Sequence, residues 1–460
     1  MSGSIEVLAG AGDNVGAPVV KPMHGFTVRD AAMALLFTTL LIDGFPAGAA
    51  VLREFGARPT NFLLVLAWMA MIARRVMKGR AVGLERHESY LLVAILVGAP
   101  LLNLPVALVQ STIGGTLTLI DWMKQFLMLG WGLASYFIWK RIIAGMGQRH
   151  YSALLCISAV VPFLAYFVQA VTTSGPLIDF LNFFRIGAND RLASLATEPA
   201  LYGAWIAFIW PLMLYYSLTG ERALGRLAAR ILLLVAFGSA MLSNARTFVV
   251  ILLLQLLYVC YWAVQRQHGW GTRVRSLLLA LGVTVAAAVI LAGRLFTIVD
   301  LANSRSDVTR FGDTITGINV AVAHPWVGVG IGEFGNFFAQ YAPAFALSDI
   351  EVAKNVVGES KYRASTFNMF VRLCVEFGIP LGIALSFFIL RPIFKAPKAN
   401  PGERFVLYAA LSAVGGAGFW LSQDPYGYQP AILALAVLTM SMAAVKRNSA
   451  DNAIGMAGEV

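Results

Sequence analysis

The chain is poor in charge and poor in cysteine. Charged residues make up only 13% of its 460 residues, whereas 58% are hydrophobic, and the mean hydropathy is +0.72. So little charge excludes an ordinary soluble domain of this size. Its three cysteines, Cys156, Cys260 and Cys374, lie in or beside apolar segments. They are typical of small core residues, so we expect neither a disulfide nor a metal site.

Apolar stretches of about 20 residues recur from end to end, and each is long enough to cross a bilayer as a helix. The stretches are continuous rather than alternating, which excludes a β-barrel and predicts an all-α polytopic membrane protein. The pattern predicts about twelve transmembrane helices. The predicted spans are residues 30–50, 60–76, 89–108, 123–140, 151–171, 199–219, 229–243, 247–264, 276–297, 366–390, 403–421 and 430–445.

The net charge of +11 does not indicate nucleic-acid binding, because the basic residues lie in short loops between apolar runs. Every second predicted loop is basic, and such loops stay on the cytoplasmic side. We therefore predict a cytoplasmic tail at 1–27, a transmembrane domain at 28–445 and a cytoplasmic tail at 446–460. The polar N-terminal tail also argues against a cleavable signal peptide.

One predicted outer loop, residues 298–365, is unusually long, and loops of this length are commonly functional. Within it Phe311, Ile315, Ile318 and Val322 recur at helical spacing. This stripe predicts an amphipathic helix that lies against the membrane surface or over a cavity.

Several arginines fall on the predicted outer side, against the usual charge bias, so they need another reason to be there. A guanidinium pairs with phosphate through two hydrogen bonds and keeps its charge. A cluster of them predicts a pyrophosphate site, although ordinary surface arginines with acidic neighbours are the alternative. The candidate substrate-binding residues are Arg191, Arg246, Arg310, Arg363 and Arg372.

Three residues are candidates for acid–base chemistry on that side. Glu198 precedes Pro199 at the start of a span, where a helix-capping role is the alternative. His324 is the one histidine predicted to face outward, and a structural His-Pro turn would also explain it. Glu333 lies in Gly330–Gly335, whose G-x-G-x-x-G spacing lacks the strand–helix context of a nucleotide site and predicts a tight loop instead. Glu376 lies one turn after Arg372, and we expect these two to neutralise each other.

Three segments, taken in order, resemble the Wzy/WaaL superfamily of O-antigen polymerases and ligases. The first is Ser243–Thr247, which resembles that family's Ser/Arg/Thr turn. The second is Arg310 followed by His324–Gly330, with a Pro-x-x-Gly-x-Gly pattern. The third is Phe367–Phe370 leading into Glu376–Gly382.

The resemblance implies a metal-independent GT-C-type glycosyltransferase of the bacterial inner membrane, with no cofactor. It would polymerise undecaprenyl-pyrophosphate-linked repeat units into O-antigen or exopolysaccharide at the periplasmic face. Membrane lipids and a chain-length regulator are the other expected partners. Arg191, Arg246 and Arg310 would hold the pyrophosphate, and the base would be His324, Glu198 or Glu333.

Two other functions stay open at this stage. An O-antigen ligase would transfer glycan to lipid A-core, but its base is a histidine before Asn, and here Phe367 precedes Asn368. A transporter or flippase of lipid-linked oligosaccharide would concentrate ionisable residues near the midplane, often in inverted repeats. Here they lie at the outer ends of spans and in one large loop, which favours an enzyme.

Overall fold

The computed structural model describes part of the chain, and every regular element in that part is a helix. The described residues are 27–42, 58–77, 104–105, 109, 116–144, 146–172, 176, 192–196, 198–243, 245–266, 271, 274, 278, 282, 305–348, 352, 365–399, 404–421, 423 and 425–457. The α-helices are α1 (Val28–Thr38), α2 (Pro59–Met77), α3 (Thr116–Ile143), α4 (Gln148–Val171), α5 (Pro199–Thr219), α6 (Ala223–Leu242), α7 (Arg246–Arg266), α8 (Arg305–Ala323), α9 (Phe334–Tyr341), α10 (Met369–Phe377), α11 (Ile379–Ala399), α12 (Arg404–Phe419) and α13 (Gln429–Ala457).

Within the described residues, five helices are long and apolar enough to cross a membrane. They are α4, α5, α6, α7 and, in α11, Ile379–Lys398. Shorter apolar stretches occur in α2, α12 and α13. The prediction of a polytopic helical membrane protein is therefore confirmed. The predicted spans at 89–108 and 276–297 lie almost wholly outside the described residues.

The predicted tenth span, 366–390, is divided into two helices. Gly378 has a φ of 81° and separates α10 from the membrane-spanning α11. A Cβ on Gly382 would lie 2.6 Å from the Cα of Cys374, so the start of α11 folds tightly against α10. The span therefore begins at Ile379, and Arg372 lies in a short helix before it. Hydropathy alone misses this break, because both helices are apolar.

Helix α5 lies at the centre of the bundle and packs against α4, α6, α7 and α12. Gln255 of α7 connects three of these helices from a fully buried position. Its Nε2 donates to the backbone oxygens of Ala207 and Leu411, both at 2.8 Å, and its Oε1 accepts from Trp210 Nε1 at 2.8 Å. Such bonds replace the hydrophobic drive that is missing between helices in lipid. They fix α5, α7 and α12 in register.

Helix α8 confirms the helix predicted from the stripe in the long loop. Phe311, Ile318 and Val322 are 61%, 46% and 65% exposed and Ile315 is half-buried, so most of the stripe points away from the protein. The opposite face, with Thr316 and Val320, is buried against α9 and α10. An apolar face turned outward fits the membrane-surface alternative and not a helix closing over a cavity.

Candidate functional site at the outer ends of the helices

Glu198 and Arg310, 112 residues apart in the chain, form an ion pair. Arg310 Nη2 donates to Glu198 Oε2 at 3.2 Å. Glu198 is the N-cap of α5, followed by Pro199, but its side chain makes no capping hydrogen bond. The carboxylate thus pairs with Arg310 instead of capping the helix. The two side chains are 43% and 26% exposed, so the pair is open to a ligand.

Phe367 supports Arg310 from another side. The Cζ atom of Arg310 lies 5.7 Å from the centre of the Phe367 ring, a distance suited to a cation–π contact. Phe367 has a φ of 47°, a left-handed conformation that costs a non-glycine residue about 1–2 kcal/mol. Its backbone N–H donates to Ser365 Oγ at 3.1 Å, and the next residue, Asn368, caps α10. The surrounding bonds hold this aromatic ring under the guanidinium.

Arg246 is the first residue of α7, and its side chain is partly buried. The turn before it packs closely on α5, because a Cβ on Gly203 would lie 2.7 Å from the Cβ of Ala245. Gly203 lies in the second turn of α5, and Glu198 lies at the start of the same helix. Arg246 and the Glu198–Arg310 pair are therefore at the same end of the bundle.

Arg372 is already held by other side chains. Its Nε donates to Glu376 Oε1 at 3.0 Å and its Nη2 to Gln125 Oε1 at 2.8 Å. Its guanidinium also lies 4.3 Å from the ring centre of Tyr426, whose hydroxyl donates to Glu376 Oε2. The predicted Arg372–Glu376 pair is confirmed. These bonds hold Arg372 in place, and its side chain is less exposed than that of Arg310.

Glu333 and His324 are less accessible than Glu198. The Glu333 side chain is fully buried, and its Oε2 accepts from Asn336 Nδ2 at 2.6 Å. The His324 ring packs edge-on against Phe337 and Tyr341, with ring centres 5.0 and 6.2 Å away. Its Nε2 is buried and makes no hydrogen bond to any residue that the structure describes.

The glycine-rich segment forms the tight loop that its sequence predicts. Gly328, Gly330 and Gly332 all have positive φ angles, of 71°, 96° and 77°. The loop is bonded to the end of α10, since Val329 N donates to the backbone oxygen of Val375 at 2.8 Å. Gly332 N also donates to Glu376 Oε1 at 3.0 Å. The loop thus joins α8 to the helix that carries Arg372.

Two of the predicted substrate-binding residues, Arg191 and Arg363, lie outside the described residues. Sequence reasoning also missed some contacts within the described part. Phe367 appeared only as a departure from a family pattern, and nothing in the sequence predicts its contact with Arg310. Gln125 of α3 and Tyr426 in the turn before α13 carried no signal, because they reach Arg372 from distant parts of the chain.

Most of this site lies in a segment that matches a known family. Residues 231–386 match a family model described as O-antigen ligase, and no curated protein matches the chain. The matched segment contains Arg246, Arg310, His324, Glu333 and Arg372, whereas Glu198 lies before it. Together with the helical membrane fold, this match shows that the chain carries an O-antigen ligase family domain at residues 231–386, consistent with the Wzy/WaaL superfamily.

Proposed function

We propose that the chain is a glycosyltransferase that polymerises undecaprenyl-pyrophosphate-linked repeat units at the periplasmic face of the bacterial inner membrane. The product is O-antigen or exopolysaccharide. The observation that carries the proposal is the Glu198–Arg310 pair at the same end of the bundle as Arg246, which puts two cations and a carboxylate at that end. The family domain supports glycan transfer of the ligase or polymerase type.

The leaving group in this reaction is a lipid pyrophosphate, which departs with the electron pair of the bond to the anomeric carbon. Arg310 is the better placed of the two arginines to stabilise it, because Glu198 and the Phe367 ring fix its orientation while a quarter of its side chain stays exposed. Preorganised cations at such a position stabilise the charge that develops in the transition state. Arg246 supplies the second positive charge.

The acceptor is a sugar hydroxyl, which attacks the anomeric carbon and must lose its proton. Glu198, Glu333 and His324 are the candidate bases. Only a group that reaches the substrate can accept this proton. Glu333 is fully buried and the Nε2 of His324 is buried, whereas Glu198 is 43% exposed. Glu198 is therefore the base in this proposal, and its bond to Arg310 orients the carboxylate.

An O-antigen ligase is the second candidate, because the matched family model carries that description. Its expected histidine position is Phe367 here, and a phenyl ring accepts no proton. The Phe367 ring instead contacts Arg310. This exchange of a base for a supporting ring favours a polymerase, whose base lies elsewhere.

The deciding experiment gives the purified chain a lipid-pyrophosphate-linked repeat unit, either alone or together with lipid A-core as a second acceptor. A polymerase yields a ladder of lipid-linked polymer without any other acceptor. A ligase yields product only when lipid A-core is added. Product on lipid A-core alone would replace the polymerase proposal by the ligase. No transfer in either reaction, with net movement of the lipid-linked glycan across vesicles, would favour a flippase.

A further inference from the structure

A narrow cleft opens at the start of α2, beside the first turns of α5 and α13. Its lining includes Arg58, Thr60, Leu201, Trp205, Tyr428 and Gln429. Leu201 lies one turn after Glu198 on α5, so the cleft is at the same end of the bundle as the Glu198–Arg310 pair. The predicted topology also puts Arg58 outside, in the loop between the first two spans.

Two of the lining residues, Arg58 and Trp205, have side-chain donors with no acceptor among the described residues. The Arg58 residue is partly buried, yet no hydrogen bond or ion pair joins its guanidinium to a described side chain. Trp205 is 1% exposed, and its indole N–H is buried with no hydrogen-bond acceptor among the described residues. A buried donor such as the Trp205 N–H is costly without an acceptor, and the positive charge of Arg58 has no anion among the described residues.

The other polar groups of the cleft are already satisfied. Thr60 Oγ1 donates to the backbone oxygen of Thr39 at 2.8 Å. Gln429 Oε1 accepts from Trp139 Nε1 at 2.9 Å, and its Nε2 donates to Asn61 Oδ1 at 3.2 Å. The described lining contains no acidic side chain to balance Arg58. A single water would satisfy the indole but would leave the positive charge uncompensated.

We propose that this cleft is a second phosphate site, separate from Arg246 and Arg310, which binds the phosphate of a lipid. Phosphate oxygens accept from the guanidinium fork, and one water inside the cleft links the phosphate to the indole N–H. The cleft has room for about one water, so the phosphate lies at its mouth and the rest of the ligand extends outward. The ligand is either a second lipid-pyrophosphate-linked glycan or a glycerophospholipid. The first source rests on the proposed function, since a polymerase joins two lipid-linked glycans.

The test measures lipids bound to the purified full-length chain in a phosphate-free detergent by native mass spectrometry. The probes are undecaprenyl pyrophosphate without glycan and phosphatidylglycerol, titrated separately. Arg58→Gln should weaken the binding of one lipid molecule by about tenfold or more. Trp205→Phe keeps the ring and removes the N–H, so it should weaken the same molecule by a smaller factor. Arg230→Gln, which removes an exposed charge from α6, should change nothing.

The two probes identify the source of the phosphate. Loss confined to undecaprenyl pyrophosphate assigns the site to a lipid-linked glycan, and equal loss of phosphatidylglycerol assigns it to membrane lipid. Unchanged binding of both probes in a folded Arg58→Gln and a folded Trp205→Phe variant would overturn the proposal. If Arg58→Gln unfolds, the Trp205→Phe result decides alone. If Arg58→Gln loses a bound lipid that Arg246→Lys and Arg310→Lys both retain, the cleft is a lipid site even if the proposed active site is wrong.

Discussion

Arg310 of α8 and Glu198 at the start of α5 pair across 3.2 Å, although one residue belongs to the long loop and the other to a membrane helix. The pair attaches the loop to the central helix of the bundle. It also leaves both groups partly exposed at 26% and 43%. Each group therefore positions the other and still has room for a ligand.

The carboxylate of this pair should be needed for turnover. Replacing Glu198 by Gln keeps the size of the side chain but removes its basicity. We expect polymerisation by the purified chain to fall by about 10²–10⁴-fold, the usual contribution of a general base. Glu221→Gln is the matched control, because Glu221 pairs with Arg149 at 3.5 Å near the opposite end of α5. A Glu198→Gln variant with normal turnover would remove Glu198 from the reaction.

The fork of each arginine should matter as well as its charge. Arg246→Lys and Arg310→Lys keep the charge but lose the planar pair of donors. Each should abolish long polymer while the amount of protein in the membrane stays normal, as judged by gel analysis of polymer and by immunoblot. Arg230→Lys, at an exposed position of α6, is the control. Full polymer length in either lysine variant would contradict bidentate binding of the pyrophosphate.

His324 should be dispensable for the chemistry. Its ring is packed between Phe337 and Tyr341, and its Nε2 is buried. His324→Ala should leave activity nearly normal and lower thermal stability, because the aromatic contacts are lost. The opposite result, a loss of about 10²-fold or more with intact protein and a vanished limb of the pH–rate profile, would establish it as the base.

Gly378 should tolerate no side chain. Its φ of 81° disfavours other residues, and a Cβ there would overlap the backbone of Trp326 and lie 2.9 Å from the carbonyl oxygen of Pro325. Gly378→Ala should therefore lower the unfolding temperature and the activity together. Gly130→Ala is the control, because a Cβ on Gly130 meets nothing within 4 Å. Equal stability of the two variants would show that the loop adjusts without cost.

The predicted orientation can be tested with two exposed alanines. In a background without native cysteines, Ala339→Cys should react with an impermeant thiol reagent in cells whose outer membrane has been permeabilised. Ala144→Cys should stay unlabelled until the inner membrane is opened. Both positions are exposed, so access to the side chain is matched. The reverse pattern would place the long loop in the cytoplasm and exclude a periplasmic site.

Local patterns predicted the parts of the molecule that depend on neighbours in the sequence. Apolar runs located the membrane helices that the structure describes, and the Phe311 stripe located α8. The spacing of Arg372 and Glu376 predicted their ion pair, because residues one turn apart share a helix face. The start of α6 at Ala223 was missed, since hydropathy marks the apolar part of a helix and not its basic first turns.

Contacts between distant segments could not be predicted in the same way. Glu198 was expected either to cap α5 or to act as an acid or base, and nothing in its surroundings indicates Arg310 as its partner. The left-handed conformation of Phe367 depends on the bonds around it and not on its residue type. Arg58 differs from these residues, because the sequence could have indicated it. The charge alternation puts it on the outer side in the same way as the other outer arginines.

The contact between Gly328 and Gly378 limits which substitutions the sequence can accept in evolution. A Cβ on Gly328 would lie 2.6 Å from the backbone nitrogen of Gly378, and both glycines have positive φ angles. Neither position can gain a side chain without displacing the other segment. The two glycines are 50 residues apart in the sequence, but one close contact requires both of them to remain glycine. A change in the segment between them is compatible with this fold only if its two ends still meet at this contact.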